Sequence, residues 1–189
     1  MHERRFNPEH MAKLDNPQRR ELFPPERLLA ELDLGSASCV LDIGAGSGYF
    51  TIPAAKMTEG TVYALDVEPK MLEVIREKAA EEKIENISYM QGVMEKIPLA
   101  DGAADRVIAS LVLHEAETLD QGLAEMKRVM AEGGIAFILE WEKRQSEQGP
   151  PLHHRISSED MKQNMEKHGL RIRRISFPTE SHYVIVCER

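Results

Sequence analysis

Short apolar runs alternate with helix-spaced apolar stripes along most of the chain. The run 105–113 is almost continuously apolar, which is typical of a strand buried on both faces of a parallel sheet. In the segment 69–82, by contrast, Met71, Val74 and Ile75 recur at helical spacing and predict a helix with one buried face. The strands predicted before residue 140 are 39–43, 61–65, 87–90, 105–113 and 135–139.

Prolines and glycines mark the ends of two further predicted helices. Pro24-Pro25 opens a helix that Gly35 ends, since proline is tolerated in a first turn and glycine favours a C-terminal cap. The helix that carries Leu123 and Met126 is predicted to end at Gly133-Gly134. Each of these helices lies between predicted strands or just before the first one, so the pattern indicates β/α alternation.

The C-terminal part breaks this alternation. A helix is predicted over 158–168, followed by strands at 170–177 and from His182 onward. About four residues separate the two strands, which is too few for a helical crossover, so the strands are predicted to be antiparallel. The predicted fold class is therefore α/β, with a Rossmann-like, doubly wound, mostly parallel seven-stranded sheet and a C-terminal antiparallel hairpin.

The first 23 residues lie outside the pattern, because they are polar and interrupted by prolines. We expect an arm, 1–23, laid over one domain, 24–189, whose size suits a single core. Three apolar residues, Phe6, Met11 and Leu14, favour an arm that closes over the ligand site as a lid. A disordered terminus is the alternative.

Charge and cysteine content narrow the function classes. The net charge of −8 argues against nucleic acid as a partner, and no apolar run approaches the ~20 residues of a membrane span. The N-terminus has no secretory signal pattern. Cys39 and Cys187 lie in predicted strands without metal-ligand spacing, so we expect two buried thiols in a cytoplasmic protein.

The most informative stretch is the turn after the first predicted strand. Glycines stand at 44, 46 and 48, between a strand and a helix, so that a ligand can lie against the backbone above the helix N-terminus. Asp66 ends the second strand, where a carboxylate can accept hydrogen bonds from both ribose hydroxyls. A helix cap is the alternative role for Asp66. Together the two features indicate an adenosine-containing ligand.

These residues occur in a wider arrangement that resembles a known family. The segments 40–50, 91–99 and 105–114, with Asp66, have the order and spacing of class I S-adenosylmethionine-dependent methyltransferases. Within that class, the chain resembles the ubiquinone/menaquinone-biosynthesis (type 11) branch. The resemblance implies S-adenosylmethionine as cofactor and a small-molecule acceptor. It also implies a cofactor site made of Asp42, Gly44, Ala45, Gly46, Asp66, Val67, Gly92, Val93, Met94 and Leu111.

One position departs from the family pattern. Val93 stands where the family commonly carries an aspartate that binds the adenine amine. The resemblance therefore leaves that contact to a backbone carbonyl or to Glu95.

Methyl transfer is an in-line displacement that alignment and exclusion of water can accelerate, so a base is needed only for an acceptor that loses a proton. His114, after the fourth predicted strand, is the candidate catalytic residue, and a purely orienting role in the loop is the alternative. His153 and His154 either line the acceptor site or are solvated loop residues. None of these histidines has metal-ligand spacing, and no metal site is predicted.

Two other functions share these features. A nicotinamide-dependent oxidoreductase would use a similar glycine turn, but its usual spacing is G-x-G-x-x-G, and a Tyr-x-x-x-Lys pair is missing. A catalytically silent S-adenosylmethionine-binding protein remains open, because cofactor and acceptor sites are separate. The sequence does not indicate an oligomeric state.

Overall fold

The computed structural model describes residues 17–189, which form seven strands, six α-helices and two short 3₁₀-helices. The strands are β1 (Val40–Ile43), β2 (Val62–Asp66), β3 (Ile87–Gln91), β4 (Ala104–Ser110), β5 (Met130–Trp141), β6 (Arg171–Thr179) and β7 (His182–Glu188). The helices are α1 (Pro17–Leu22), α2 (Pro25–Leu29), α3 (Thr51–Met57), α4 (Pro69–Glu81), α5 (Leu119–Val129) and α6 (Ser158–Lys167), and the 3₁₀-helices are Ala30–Leu32 and Leu113–Glu115.

All seven strands form one sheet in the order β3-β2-β1-β4-β5-β7-β6. The first five strands pair in parallel, and β7 is antiparallel to both β5 and β6. The predicted fold class is confirmed, including the C-terminal hairpin. Because the strand order reverses between β1 and β4, a crevice opens beyond the carboxyl ends of these strands, where ligands of such sheets bind.

Helices cover both faces of the sheet and create two apolar layers. One layer contains side chains of α5 and α6, such as Leu123 and Met161, and the other contains side chains of α3 and α4, such as Ala54 and Ile75. All four residues of β1 are buried, as expected for a central parallel strand.

The end of β4 differs from the prediction. The strand stops at Ser110, although the apolar run continues to Leu113. Leu111 has φ +55°, and its amide donates to the Leu139 carbonyl at 2.7 Å. Hydrophobicity could not locate this turn, because Val112 and Leu113 are buried by tertiary contacts and not by strand pairing. The turn leads directly to His114, in the second 3₁₀-helix.

The predicted boundary between α5 and β5 is also wrong. The helix ends at Val129, and β5 begins at Met130, several residues before the predicted start at 135. Gly133 has φ +71° inside the strand, where the β4–β5 register shifts between Ala104 and Arg106. The two glycines therefore accommodate an irregular strand and do not end a helix.

The prediction that both cysteines are buried strand residues holds only for one of them. Cys187 is buried in β7, whereas Cys39 precedes β1 and is half-buried. Of the predicted arm, α1 and Phe23 are described, while Phe6, Met11 and Leu14 lie outside the described residues. No helix within residues 17–189 is long and apolar enough to cross a bilayer.

Candidate cofactor and acceptor site

A cavity of about 940 Å³ lies at the carboxyl ends of β1, β2 and β4, and extends past the end of β5 to the start of β7. This volume is at the upper end of the range for small-molecule sites, roughly 300–1,000 Å³. Every residue that the resemblance assigned to the cofactor lines it: Asp42, Gly44, Ala45, Gly46, Asp66, Val67, Gly92, Val93, Met94 and Leu111.

The glycine turn has a backbone that side chains would not permit. Gly44, Gly46 and Gly48 all have positive φ, at +67°, +51° and +83°. A Cβ on Gly44 would lie 2.3 Å from Val112 Cγ2, so the turn packs directly on the residues that follow β4. The space above the turn is thus bounded by backbone, which leaves room for a ligand to approach its amides.

Asp66 connects the end of β2 to this turn. Its Oδ2 accepts from the Gly46 amide at 2.8 Å, and its Oδ1 accepts from the Glu68 amide at 2.9 Å. The second contact resembles a cap, but the capping side chain of α4 is Glu68, which accepts from the Lys70 amide. The carboxylate therefore does more than cap a helix, because it links two walls of the cavity.

Asp42 lies beneath the turn and is almost completely buried. Thr51 donates its hydroxyl to Asp42 Oδ2 at 2.6 Å. Burial raises the pKa of Asp42 to about 7, against the opposing effect of the Thr51 hydrogen bond. Burial also raises the pKa of Asp66. Both carboxyl groups are therefore held where a positively charged ligand group would favour ionisation.

The loop after β3 forms the adjoining wall. The Gly92 amide donates to the Asp66 carbonyl at 3.0 Å, which places the loop against the end of β2. Val93 and Glu95 line the cavity, and Glu95 Oε1 accepts from the Glu117 amide at 2.7 Å. The Glu95 carboxylate, one of the two groups left for the adenine amine, thus already has a backbone donor.

His114 lines the same cavity beyond β4, and its partner is a residue that sequence reasoning missed. His114 Nδ1 lies 2.9 Å from both oxygens of Glu140, a fully buried side chain near the end of β5. The only sequence signal was a charged residue that follows an apolar strand at the ligand-binding edge. The pairing itself depends on β4 and β5 being neighbours in the sheet.

Aromatic and histidine side chains form the wall beyond β5. The Trp141 and His182 rings lie opposite each other in the β5–β7 register, with centroids 3.9 Å apart. Phe23 contacts the His182 ring edge-on at 4.8 Å. Burial lowers the pKa of His182 to about 4, so the ring is neutral near pH 7. Its Nε2 is buried and has no hydrogen-bond partner among residues 17–189.

The helix α1 lies over this end of the cavity. Tyr49 donates its hydroxyl to the Phe23 carbonyl at 2.7 Å, and that hydroxyl also lies 3.2 Å from the Arg19 carbonyl. Arg19 and Leu22 line the cavity. The described part of the arm is therefore fastened to the residue that follows the glycine turn.

The two adjacent loop histidines have different positions. His154 lines the cavity, whereas His153 is exposed. Within the described residues, no group of three or more histidine, cysteine, aspartate or glutamate side chains is arranged to hold a metal ion.

The cavity is strongly acidic. Among the described residues, Arg19 is its one lysine or arginine. The carboxylate side chains that line it are Asp42, Asp66, Glu68, Glu95, Glu115, Glu117 and Glu147. Such a surface favours cationic ligands and disfavours anionic ones.

Comparisons with known proteins agree with this geometry. A family model described as a methyltransferase domain matches residues 41–138. A ubiquinone/menaquinone biosynthesis C-methyltransferase from Marinomonas sp. is 31% identical over 122 residues, which are 63% of this chain and 49% of that protein. A demethylmenaquinone methyltransferase from Chlorobaculum parvum is 35% identical over 53% of this chain and 40% of its own length. The chain thus spans half or less of the length of these curated relatives.

A solved structure matches nearly end to end. A SAM-dependent methyltransferase from Aquifex aeolicus is 31% identical, with a TM-score of 0.89 over 97% of this chain and 99% of that one. The family model covers more than half of the chain, and it includes the glycine turn, Asp66 and His114. The chain therefore belongs to the methyltransferase-domain family, whose cofactor is S-adenosylmethionine.

Proposed function

We propose that this protein transfers a methyl group from S-adenosylmethionine to a small-molecule acceptor. The cofactor supplies an electrophilic methyl on a sulfonium, and the chain binds it, orients it and excludes water. In this proposal Asp42 and the turn Gly44-Ala45-Gly46 face the methionine part, Asp66 accepts from the ribose hydroxyls, and Val67 flanks the adenine. Gly92, Val93 and Met94 contact the adenine, and Leu111 closes the floor between the two sites.

The observation that carries the proposal is the link between the glycine turn and Asp66. The Gly46 amide and the Asp66 carboxylate already share a hydrogen bond, so the two features separated by 20 residues form one surface. The acidic lining supports a ligand that bears a sulfonium and an amino group. The acidic lining is also unfavourable for the phosphates of a nicotinamide cofactor, which would lie among carboxylates with Arg19 as the one cationic side chain of the described lining.

Calorimetry tests the cofactor assignment. We expect S-adenosylmethionine and S-adenosylhomocysteine to bind in the micromolar range and NAD not to bind. Tighter binding of NAD than of S-adenosylmethionine would overturn the assignment of the cofactor.

Asp66→Ala should weaken binding of S-adenosylmethionine by about 1–3 kcal/mol, the scale for leaving charged hydrogen bonds unmade. Unchanged affinity together with a lower melting temperature would reduce Asp66 to a structural cap.

Methyl transfer itself needs a separate assay, because cofactor binding does not distinguish an enzyme from a silent binding protein. Labelled S-adenosylmethionine incubated with a panel of neutral hydroxyl, amine and thiol acceptors should yield labelled product. Cofactor binding without transfer to any of them would favour the silent protein.

We further propose that residues 1–23 form a lid over a single methyltransferase domain, 24–189. The contacts of Tyr49 with Phe23 and Arg19 support this proposal. A cytoplasmic location is proposed on the two free thiols. Nucleic acid is not proposed as a partner, since the acidic cavity would repel a phosphate backbone.

A further inference from the structure

The environment of Glu140 is unusual for a carboxylate. The side chain is fully buried, and its hydrogen-bond partners are the Leu113 amide at 3.1 Å, the Trp141 amide at 3.0 Å and His114 Nδ1 at 2.9 Å. A buried charge costs free energy unless it is paired and hydrogen-bonded. The two backbone amides hold the carboxylate in one place, and the imidazole is the group that it faces.

This contact determines what His114 can do. When Nδ1–H donates its hydrogen bond to the Glu140 carboxylate, the lone pair of the neutral ring lies on Nε2. The ring lines the cavity, with Nε2 4.0 Å from Glu115 Oε1. Burial lowers the pKa of His114, and the positive charge of Arg155 acts in the same direction. The negative charge and hydrogen bond of Glu140, together with the charge of Glu115, outweigh both effects, so the pKa of His114 is raised above its ordinary value.

The charge of the cavity restricts which acceptors can bind there, and the acidity of the acceptor decides whether it needs a base such as His114. The carboxylates that line it disfavour an anionic acceptor, such as a carboxylate or a phosphate. Thiols, with pKa values of about 8.5, ionise in part near neutral pH, whereas a phenolic hydroxyl has a pKa of about 10 and needs a base. A neutral amine attacks through its own lone pair and needs no base for that step. A buried histidine held by a carboxylate is therefore suited to a phenolic hydroxyl.

We propose that the acceptor is a neutral hydroxyl compound of the phenol or enol class, with His114 as its general base and Glu140 as the residue that positions the base. This inference rests on the proposed methyl transfer. The O–H bond breaks and its proton moves to His114 Nε2. The oxygen electron pair forms the O–CH₃ bond, and the S–CH₃ electron pair returns to sulfur, leaving S-adenosylhomocysteine. The imidazolium then releases the proton to water.

The test uses 4-nitrophenol, whose absorbance reports ionisation, bound to the full chain saturated with S-adenosylhomocysteine. We expect the pKa of the bound phenol to lie below that of free 4-nitrophenol by about 1 to 3, the scale for a new ion pair at close range. In His114→Gln it should equal or exceed the free value, because the acidic cavity then acts alone. Glu140→Gln should lose most of the decrease while still binding the phenol.

Glu142→Gln is the matched control, since this carboxylate follows β5 and bonds the Ser158 amide, away from His114. It should behave like the wild type. The proposal is overturned if wild-type protein binds S-adenosylhomocysteine but not 4-nitrophenol, if the pKa of the phenol bound to wild-type protein is not lowered, or if His114→Gln retains the full decrease in phenol pKa. Failure to bind S-adenosylhomocysteine would instead overturn the proposed function. The wild-type titration decides the matter even where a variant does not fold.

Discussion

Gly44 is the residue at which the conformation of the site is most restricted. Its φ is +67°, and a Cβ would clash with Val112 at 2.3 Å. We expect Gly44→Ala to lower the free energy of unfolding by roughly 2–5 kcal/mol, from overpacking and from positive φ together. Urea denaturation measures this change, and calorimetry should find cofactor binding lost.

Gly133→Ala is the matched control for that variant. Gly133 has a similar φ of +71°, but nothing lies within 4 Å of the added Cβ. This variant should cost about 1–2 kcal/mol from backbone strain alone and should bind the cofactor normally. Equal destabilisation by the two substitutions would show that the packing of the turn on Val112 contributes little.

Asp42 makes the stability of the ligand-free protein depend on pH. Burial raises its pKa from an ordinary 3.8 to about 7, so the folded chain keeps a proton that the unfolded chain releases. The free energy of unfolding should therefore fall as the pH rises from about 4 to about 7. Asp42→Asn, which keeps an acceptor for Thr51, should remove this part of the decline. Urea unfolding of both proteins across that range is the measurement, and parallel curves would contradict the assignment.

The elements themselves show what the sequence could and could not reveal. Strands β1 to β4 and the hairpin were predictable, because a run such as that of β1 is apolar on both faces and the gap before His182 is short. The position at which β4 ends was not predictable, because Leu111 leaves the strand while the apolar pattern continues. The pair Gly133-Gly134 predicts a helix end from sequence, but Gly133, with φ +71°, lies inside an irregular strand.

The cofactor half and the acceptor half of the site also differ in how far the sequence predicts them. The cofactor half depends on local features, the glycine turn and the acid at the end of β2, and a pattern along the chain reveals both. The acceptor half depends on pairs from distant segments, His114 with Glu140 and Trp141 with His182. Such pairs follow from strand order, which hydrophobic periodicity does not encode.

At the level of elements, α1 should control ligand release. No residue of α1 is buried, and Tyr49 links this helix to the domain: its hydroxyl is bonded to the Phe23 carbonyl, and the Arg19 guanidinium lies 4.1 Å from the centroid of its ring. Tyr49→Phe should release S-adenosylhomocysteine about 2- to 10-fold faster, corresponding to ~0.5–1.5 kcal/mol for a lost hydrogen bond. Stopped-flow dissociation measures the rate.

Tyr63→Phe removes a hydroxyl from β2 on the apolar layer that does not contain Phe23, and it should leave that rate unchanged. Deletion of residues 1–22 should accelerate release at least as much as Tyr49→Phe. It should also leave the melting temperature without ligand nearly unchanged, because Phe23, which is buried in the core, is retained. A truncated protein that releases the product no faster than the intact one would exclude a lid.

At the level of the whole molecule, the charge distribution should distinguish substrate from product. The chain carries a net charge of −8, and the described cavity lining combines seven carboxylates with one guanidinium. S-adenosylmethionine carries a sulfonium that its demethylated product lacks, so the acidic cavity should attract the substrate more strongly.

Raising the salt concentration from about 0.01 M to 1 M shortens the screening length from roughly 30 Å to 3 Å. We therefore expect salt to weaken binding of S-adenosylmethionine more than binding of S-adenosylhomocysteine, measured by calorimetry at both concentrations. Equal losses for both ligands would mean that the surrounding carboxylates do not act on the sulfonium.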